Sequence, residues 1–223
     1  MKKRIVMGLM IGALSLSLFA CGKKADDTTD KSANSAKTDV IAEDNALEND
    51  NEEKELTYED MTKLMFDFSS GVGGWGTELQ ISSDGSFVGS YHDSELGDLD
   101  ETSYPNGTIY LNEFSGKFGE LEKMSDYIYK TTLDEISYDH EIDTEEIDES
   151  EGVRYVYAEG YGLEDAKDIY FYLPGCPVED LPEDYIGWMR SKGALEEEDT
   201  TLPFMGLYNE VPGNGFSSSE TED

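Results

Sequence analysis

The chain has 223 residues, and its 51 acidic against 16 basic residues give a formal net charge of −35 at pH 7. A surface this acidic repels phosphates, so nucleic acids and anionic lipid headgroups are excluded as main partners. Only two cysteines are present, Cys21 and Cys176. The fold therefore depends on its apolar core, or on bound ions, rather than on a framework of disulfides.

The amino terminus has the layout of a secretory signal peptide. Basic residues at 2–4 precede an apolar run over residues 5–20 that is too short to span a bilayer comfortably. The run leads into Leu-Phe-Ala-Cys at 18–21, which resembles the lipobox of bacterial lipoproteins except that Phe19 replaces a small residue. The resemblance implies cleavage before Cys21 and attachment of a diacylglycerol, with acyl chains such as palmitate, to its thiol. The alternative is an ordinary secretory signal in which Cys21 is incidental.

The composition divides the rest of the chain into three parts. Residues 21–55 are polar, charged and free of aromatic residues, which is typical of a disordered tether. A globular domain is predicted over residues 56–210, followed by a disordered tail over 211–223. A lipid anchor and a tether predict a protein held on the outer face of the bacterial cell membrane, with the membrane as a partner through the anchor.

The first predicted element of the domain is a short helix. Four apolar residues recur at the spacing of one helix face: Met61, Leu64, Met65 and Phe68. Thr57 is suited to cap the first turn, and the Ser-Ser-Gly sequence at 69–71 ends the pattern.

Beyond this helix the apolar residues alternate with a period of two, which indicates strands. A hairpin is predicted from a strand over 77–82, a turn at 83–85 and a return strand to Tyr91. Further strands are predicted over residues 108–118, 127–133, 153–157 and 169–173, with a charged excursion over 139–151.

A second helix is predicted over residues 180–192, with Asp180 as its cap and Gly193 as its stop. Its apolar face consists of Leu181, Tyr185, Trp188 and Met189. Cys176 lies in the turn before it, and no basic residue stands close in sequence to lower the pKa of its thiol. A buried, apolar role is expected for this cysteine.

Two strands share an unusual pattern of aromatic, glycine and aromatic residues on one face. These are Phe87, Gly89 and Tyr91 in the first strand, and Phe114, Gly116 and Phe118 in the second. A central glycine permits sharp curvature, and a neighbouring ring covers the gap. We predict a mainly β fold, an antiparallel meander curled into a small barrel or two-sheet body, with a short helix at each end. One version is lipocalin-like, with a cavity for an apolar or amphipathic ligand.

The central region also resembles a group of uncharacterised lipoproteins of Gram-positive anaerobes. Three segments carry the resemblance, at residues 74–79, 91–93 and 104–108. These motifs are structural in character, and the resemblance implies no particular activity.

One loop contains the densest set of potential metal ligands, which are His92, Asp93, Asp98 and Asp100. Carboxylate oxygens suit a hard cation such as calcium. The spacing differs from that of an EF-hand, because Thr102 and Ser103 replace an acidic residue or Asn and the required glycine. A calcium site is therefore weighed against a solvated acidic loop, and no other cofactor is implied.

The aromatic residues suggest ligand binding more directly. The 14 Tyr, 9 Phe and 2 Trp exceed what a core of this size needs, so some rings should reach the surface. A ring beside a carboxylate can stack on a sugar or hold a cation. The candidate binding residues are Trp75, Tyr91, Tyr110 and Tyr129. In the alternative, tyrosines pack within the sheet and only their hydroxyls stay wet.

The sequence lacks the Gly-x-Ser-x-Gly, His-Glu-x-x-His and Cys-x-x-Cys motifs of common catalytic and redox sites. Paired carboxylates can hydrolyse glycosidic bonds, but among 51 acidic residues such pairs arise by chance. The leading hypothesis is a non-enzymatic binding module for a small ligand, a glycan or an envelope protein. The alternatives are a glycan-acting hydrolase and a structural or assembly protein of the cell envelope.

Overall fold

Eleven strands and one α-helix make up residues 55–221, the part of the chain that this computed structural model describes. The first six strands are β1 (Leu64–Ser69), β2 (Trp75–Ile81), β3 (Ser86–Glu95), β4 (Thr108–Phe118), β5 (Glu122–Lys123) and β6 (Ile128–Tyr138). The others are β7 (Thr144–Asp148), β8 (Val153–Tyr157), β9 (Asp168–Tyr172), β10 (Gly206–Asn209) and β11 (Asn214–Glu220). Helix α1 (Glu183–Ser191) lies between β9 and β10, and short 3₁₀ turns occupy Tyr58–Met61 and Val178–Asp180.

Eight of these strands close into an antiparallel barrel. Their order around the barrel is β1, β2, β3, β4, β6, β9, β10 and β11, and β11 pairs again with β1. Each barrel strand thus pairs with the next barrel strand along the chain. This arrangement confirms the predicted antiparallel meander and its closure into a barrel.

Phenylalanine rings fill the barrel. Those that are at most 3% exposed are Phe66, Phe68, Phe87, Phe114, Phe118, Phe171 and Phe216. Gly89 pairs with Phe114 and Gly116 pairs with Phe87, so each glycine leaves room for the ring on the neighbouring strand. The rings occupy the space in which a lipocalin-type barrel holds its ligand. The interior of this barrel is thus a packed core of side chains.

Strand β4 is shared between the barrel and a small outer sheet. Its residues 114–118 pair with β6, whereas its residues 108–111 pair in parallel with β8. Strand β7 pairs with the other side of β8 and forms the edge of this sheet. The charged excursion predicted over residues 139–151 thus contains an edge strand, and its carboxylates discourage pairing with another chain.

Helix α1 packs on the outside of the barrel. Tyr185 and Met189 are fully buried, and the Tyr185 hydroxyl donates a hydrogen bond to the Phe216 carbonyl oxygen at 3.1 Å. Gly206 and Gly215 allow the Tyr185 ring to approach β10 and β11 closely. The predicted apolar face is confirmed for Tyr185, Trp188 and Met189, whereas Leu181 lies before the helix begins.

The predicted amino-terminal helix is wrong beyond its first turn. The Thr57 N–H donates to the Asp60 carboxylate at 3.0 Å, as expected of a cap, but the 3₁₀ turn ends at Met61. Strand β1 follows, and Phe66, which lies outside the helical stripe, is fully buried. Pairing with β2 on one side and β11 on the other satisfies the backbone of this segment and overrides its helical spacing.

The disordered tail predicted for residues 211–223 is wrong for the described residues, which extend to 221. Strand β11 closes the barrel there and buries Phe216 completely. Helix α1 also begins later than predicted, because Asp180 belongs to a separate 3₁₀ turn and Pro182 takes the cap position. Within residues 55–221 no helix has the length and apolar character needed to cross a bilayer.

Candidate functional site

Residues 158–167, which connect β8 to β9, form a covering segment over one end of the barrel. The Thr77 hydroxyl donates to the Tyr161 carbonyl oxygen at 2.5 Å. Asn209 Nδ2 donates to two carbonyl oxygens of the segment, each at 3.1 Å. Leu163 is 2% exposed and belongs to the core. These contacts fix the position of Tyr161 relative to the barrel.

The register between β1 and β11 shows which end of the barrel the covering segment covers. Leu64 pairs with Glu220 and Asp67 pairs with Ser217, so the turn before β11 lies beyond the carboxyl end of β1. The chain enters the barrel at the opposite end, through residues 55–63. The covering segment, which is bound to the end of β10, therefore lies far from the entry point.

A groove of 510 Å³ opens beside the covering segment. It is lined by Tyr161 of that segment, by Glu183, Asp184, Gly187 and Trp188 of α1, and by Pro212, Gly213 and Asn214 of the β10–β11 turn. These lining residues include no Lys, Arg or His. The first turn of α1 reaches the groove because Tyr185 and Met189 anchor the helix to the barrel.

Tyr161 and Trp188 form the aromatic walls of the groove. Both rings pack on Phe68, with centroid distances of 5.4 and 4.9 Å. Trp75 contacts both rings, at 5.3 Å from Tyr161 and 6.2 Å from Trp188. Tyr161 is still 43% exposed, and Trp188 is half-buried. Because other rings support them from behind, the two walls offer a fixed apolar surface to a ligand.

Carboxylates give the groove its charge. Glu183 and Asp184 are exposed, and within the described part of the chain neither has an ion-pair partner. The covering segment adds further acidic groups, where burial and the nearby charges of Glu164 and Asp165 raise the pKa of Glu159. The electrostatic potential around the groove is therefore negative.

Gly187 keeps the groove open. It lies in the interior of α1, where glycine costs about 1 kcal/mol relative to alanine. A Cβ atom at this position would meet no atom within 4 Å, so packing against the protein does not require the glycine. Gly187 thus lowers the stability of the helix at the position where a longer side chain would extend into the groove.

Two other grooves on the described residues have a different lining. The outer faces of β3, β4 and β6 carry a groove of 760 Å³ that is lined mainly by serines and charged residues. Its aromatic lining residue, Phe87, is 2% exposed and belongs to the core. A third groove, of 480 Å³, surrounds Tyr58 where the chain enters the barrel. Exposed rings and unpaired carboxylates meet in the groove beside Tyr161.

None of the four predicted aromatic binding residues lines the groove, although Tyr91 lies near both Tyr161 and Tyr110. Trp75 supports the groove walls from behind, while Tyr91 is half-buried and burial raises its pKa to about 12. The Tyr110 hydroxyl donates to Asp98 at 3.1 Å. Tyr129 is 4% exposed, and its hydroxyl accepts a backbone N–H at 3.2 Å within the core, where a surface ligand does not reach it.

The four predicted metal ligands do not converge. Asp98 forms an ion pair with Arg154, and His92 is exposed on β3. Asp93 accepts the N–H of Ser94 within β3 at 2.7 Å. Asp100 accepts two backbone N–H groups of its own loop at 2.8 and 3.0 Å, which lowers its pKa. Among residues 55–221 no group of three or more His, Cys, Asp and Glu side chains is arranged to hold a metal ion. The arrangement of these four residues is that of the solvated acidic loop, the alternative against which the calcium site was weighed.

Several residues of the groove escape prediction from the sequence. Tyr161 belongs to no pattern that predicts a binding residue. The β10–β11 turn lies in a segment that resembles a disordered tail. Trp188 is predicted only as part of an apolar helix face. One signal was present in the sequence, since Gly187 interrupts a predicted helix on the side away from its apolar stripe.

Comparison with known proteins finds no matching family model, no similar curated protein and no similar solved structure.

Proposed function

We propose that this protein is a lipid-anchored, non-enzymatic binding module on the outer face of the bacterial cell membrane. Its ligand is a small molecule or a glycan that binds in the groove beside Tyr161 and Trp188. The observation that carries the proposal is the meeting of two supported aromatic rings and two unpaired carboxylates in one open groove.

The shape and chemistry of the groove suit such a ligand. Its 510 Å³ falls within the range of about 300 to 1,000 Å³ that is usual for ligand pockets. A sugar can stack its apolar face on Tyr161 or Trp188 while its hydroxyls donate hydrogen bonds to Glu183 or Asp184. Gly187 leaves the room that this arrangement needs.

The placement of the carboxylates favours binding over hydrolysis. Glycoside hydrolases place two carboxyl groups on either side of the scissile bond, about 5 to 10 Å apart. Glu183 and Asp184 are neighbours in the first turn of α1, so both approach a ligand from the same element. This arrangement supports a binding role rather than the hydrolase alternative.

The anchor is proposed from the lipobox resemblance alone, because Cys21 lies outside the described residues. The position of the groove is compatible with it. The chain enters the barrel at the end opposite the groove, so an attachment upstream of residue 55 leaves the groove accessible.

Membrane fractionation with intact-mass measurement tests the anchor. The wild-type chain is expected in the membrane fraction, without residues 1–20 and with the added mass of a diacylglycerol. The Cys21→Ser variant is expected to leave the membrane fraction. Retention of this variant on the membrane contradicts the lipid anchor.

Thermal unfolding tests the binding site. The full chain in detergent is melted with a panel of oligosaccharides and cell-wall fragments. A ligand at about 100 times its Kd adds about 2.7 kcal/mol to the free energy of unfolding. Gly187→Met fills the groove and should abolish the shift in Tm. Gly97→Met should retain it, because Gly97 lies in an exposed loop where a Cβ also meets no atom within 4 Å.

Four outcomes separate the hypotheses. A Tm shift that Gly187→Met abolishes supports the groove, and a shift that survives this variant rejects it. Release of shorter fragments from the oligosaccharides supports the hydrolase alternative. A panel that shifts nothing favours the structural or assembly alternative, in which the partner is an envelope protein.

A further inference from the structure

The negative charge of the groove rim is not neutralised by the basic residues at the end of α1, Arg190 and Lys192. Arg190 lies 3.5 Å from Glu197, and Lys192 Nζ donates to the Asp67 carbonyl oxygen at 2.9 Å and to its carboxylate. Both cations are thus engaged outside the groove lining. Glu183 and Asp184 are left to attract a charge from the solvent.

The helix dipole does not reverse this potential. The amino terminus of a helix carries the equivalent of about half a positive charge. Glu183 and Asp184 place two full negative charges in that same turn. The dipole stabilises the two carboxylates, and the net charge at the mouth of the groove remains negative.

The aromatic walls favour the same kind of ligand. The face of an aromatic ring attracts a cation that lies within about 6 Å of the ring centroid, and tryptophan and tyrosine do so most strongly. Tyr161 and Trp188 are held in place by Phe68 and Trp75, so little ordering of side chains opposes binding. An anionic ligand is disfavoured by the carboxylates and by the ring faces.

We infer that the groove selects a ligand bearing a positive charge, an ammonium group on a sugar or on another small organic body. The inference rests on the proposed binding function and names the chemical class of its ligand. It draws on three independent features: the supported rings, the unpaired carboxylates and the groove that Gly187 leaves open.

Titration calorimetry with matched probes tests the inference on the full chain in detergent, at near-physiological ionic strength. Glucosamine and N-acetylglucosamine share a sugar ring, but only glucosamine carries an ammonium group. Choline carries a cationic group but no sugar ring. It therefore shows whether an ammonium group is recognised only on a sugar or also on another small organic body. We expect glucosamine to bind about tenfold more tightly than N-acetylglucosamine.

Charge variants separate the groove from the general acidity of the protein. Glu183→Gln with Asp184→Asn should abolish the preference for glucosamine. The amide oxygens still accept hydrogen bonds from sugar hydroxyls, so the variant should weaken the binding of glucosamine more than that of N-acetylglucosamine. Glu146→Gln with Glu149→Gln removes the same charge at and beside the β7 edge, and it should keep the preference. Gly187→Met retains the net charge, closes the groove and should weaken the binding of every probe.

The outcomes distinguish the inference from the proposed function. If both sugars bind equally, and Gly187→Met weakens both, the groove binds ligands but the preference for a cation is refuted. If the β7 control removes the preference as fully as the groove variant does, the attraction is non-specific and the inference fails. If glucosamine, N-acetylglucosamine and choline all fail to bind, the inference is overturned, and the oligosaccharide panel decides the proposed function separately.

Discussion

The ring of Phe87 on β3 lies directly against Gly116, its partner across the strand pair on β4. Phe114 stands in the same relation to Gly89, two residues further along the same pair of strands. Each glycine thus forms part of the socket for a ring. This reciprocal packing allows two large aromatic residues to enter a narrow barrel on neighbouring strands.

Replacing Gly116 with alanine tests this packing. The new Cβ would collide with the Phe87 ring and with the Glu135 carbonyl oxygen. We expect a loss of about 1–3 kcal/mol in the free energy of unfolding, measured by denaturant titration. Adding Phe87→Leu should recover part of the loss, and Gly74→Ala, whose Cβ meets no atom within 4 Å, should behave like the wild type. A Gly116→Ala variant of wild-type stability contradicts the packing argument.

Truncation tests the role of the carboxyl-terminal strand. Ending the chain after residue 213 removes β11, exposes the edges of β1 and β10 and deletes the buried Phe216. The expected result is the loss of a cooperative thermal transition in circular dichroism. A chain that ends after residue 221 should melt like the full chain. A cooperative transition in the shorter chain would show that β11 is dispensable.

The reactivity of Cys176 tests its burial. The residue is 0% exposed, and burial raises the pKa of its thiol to about 11. In a Cys21→Ser background, the native protein should therefore resist alkylation by iodoacetamide at neutral pH and react fully after unfolding. Ser83→Cys, in an exposed turn, provides a reactive positive control. Rapid labelling of native Cys176 would argue against its position in the core.

Alkaline pH should destabilise the fold through its buried tyrosines. Burial raises the pKa of Tyr58, Tyr91 and Tyr138 from 10.0 to about 12. The unfolded chain loses these protons near pH 10, whereas the native protein holds them to about pH 12. Stability is thus fully present below pH 10 and falls as the pH rises towards 12.

A pH series of denaturant titrations measures this decline. Tyr91→Phe should reduce the slope and leave the stability at neutral pH nearly unchanged, because no hydrogen bond involves its hydroxyl among the described residues. An ultraviolet titration in which all native tyrosines ionise together near their ordinary pKa would refute the prediction.

Local patterns predicted much of the barrel correctly. Alternation of apolar residues located β2, β3, β4, β6, β8 and β9, and the turn at 83–85 forms the expected hairpin between β2 and β3. The pairing of glycines with rings was also anticipated, because curvature and gap filling are properties of one strand and its neighbour. Phe68 shows the limit of such patterns, since it fits a helical stripe as well as the alternation of β1.

The candidate groove was far less predictable. Its lining comes from three segments that are distant in the sequence, the covering segment, α1 and the β10–β11 turn. Tyr161 is suited to bind a ligand because the rings of Phe68 and Trp75 hold it in place. Glu183 is suited because it has no basic partner among the described residues. The arrangement of the candidate metal ligands also depends on distant contacts. Asp98 forms an ion pair with Arg154, and no local pattern in the sequence reveals this pairing.

The sequence by itself determined the acidic character, the amphipathic helix α1, much of the strand meander and the expectation of a lipid anchor at Cys21. These follow from composition and from spacing between close neighbours. Tertiary structure alone decided that residues 64–69 and 214–220 are strands, because each gains its hydrogen bonds and its burial only from pairing across the closed barrel. It also decided that Tyr161 and Trp188 share a groove, since their proximity depends on how the covering segment and α1 pack on distant strands.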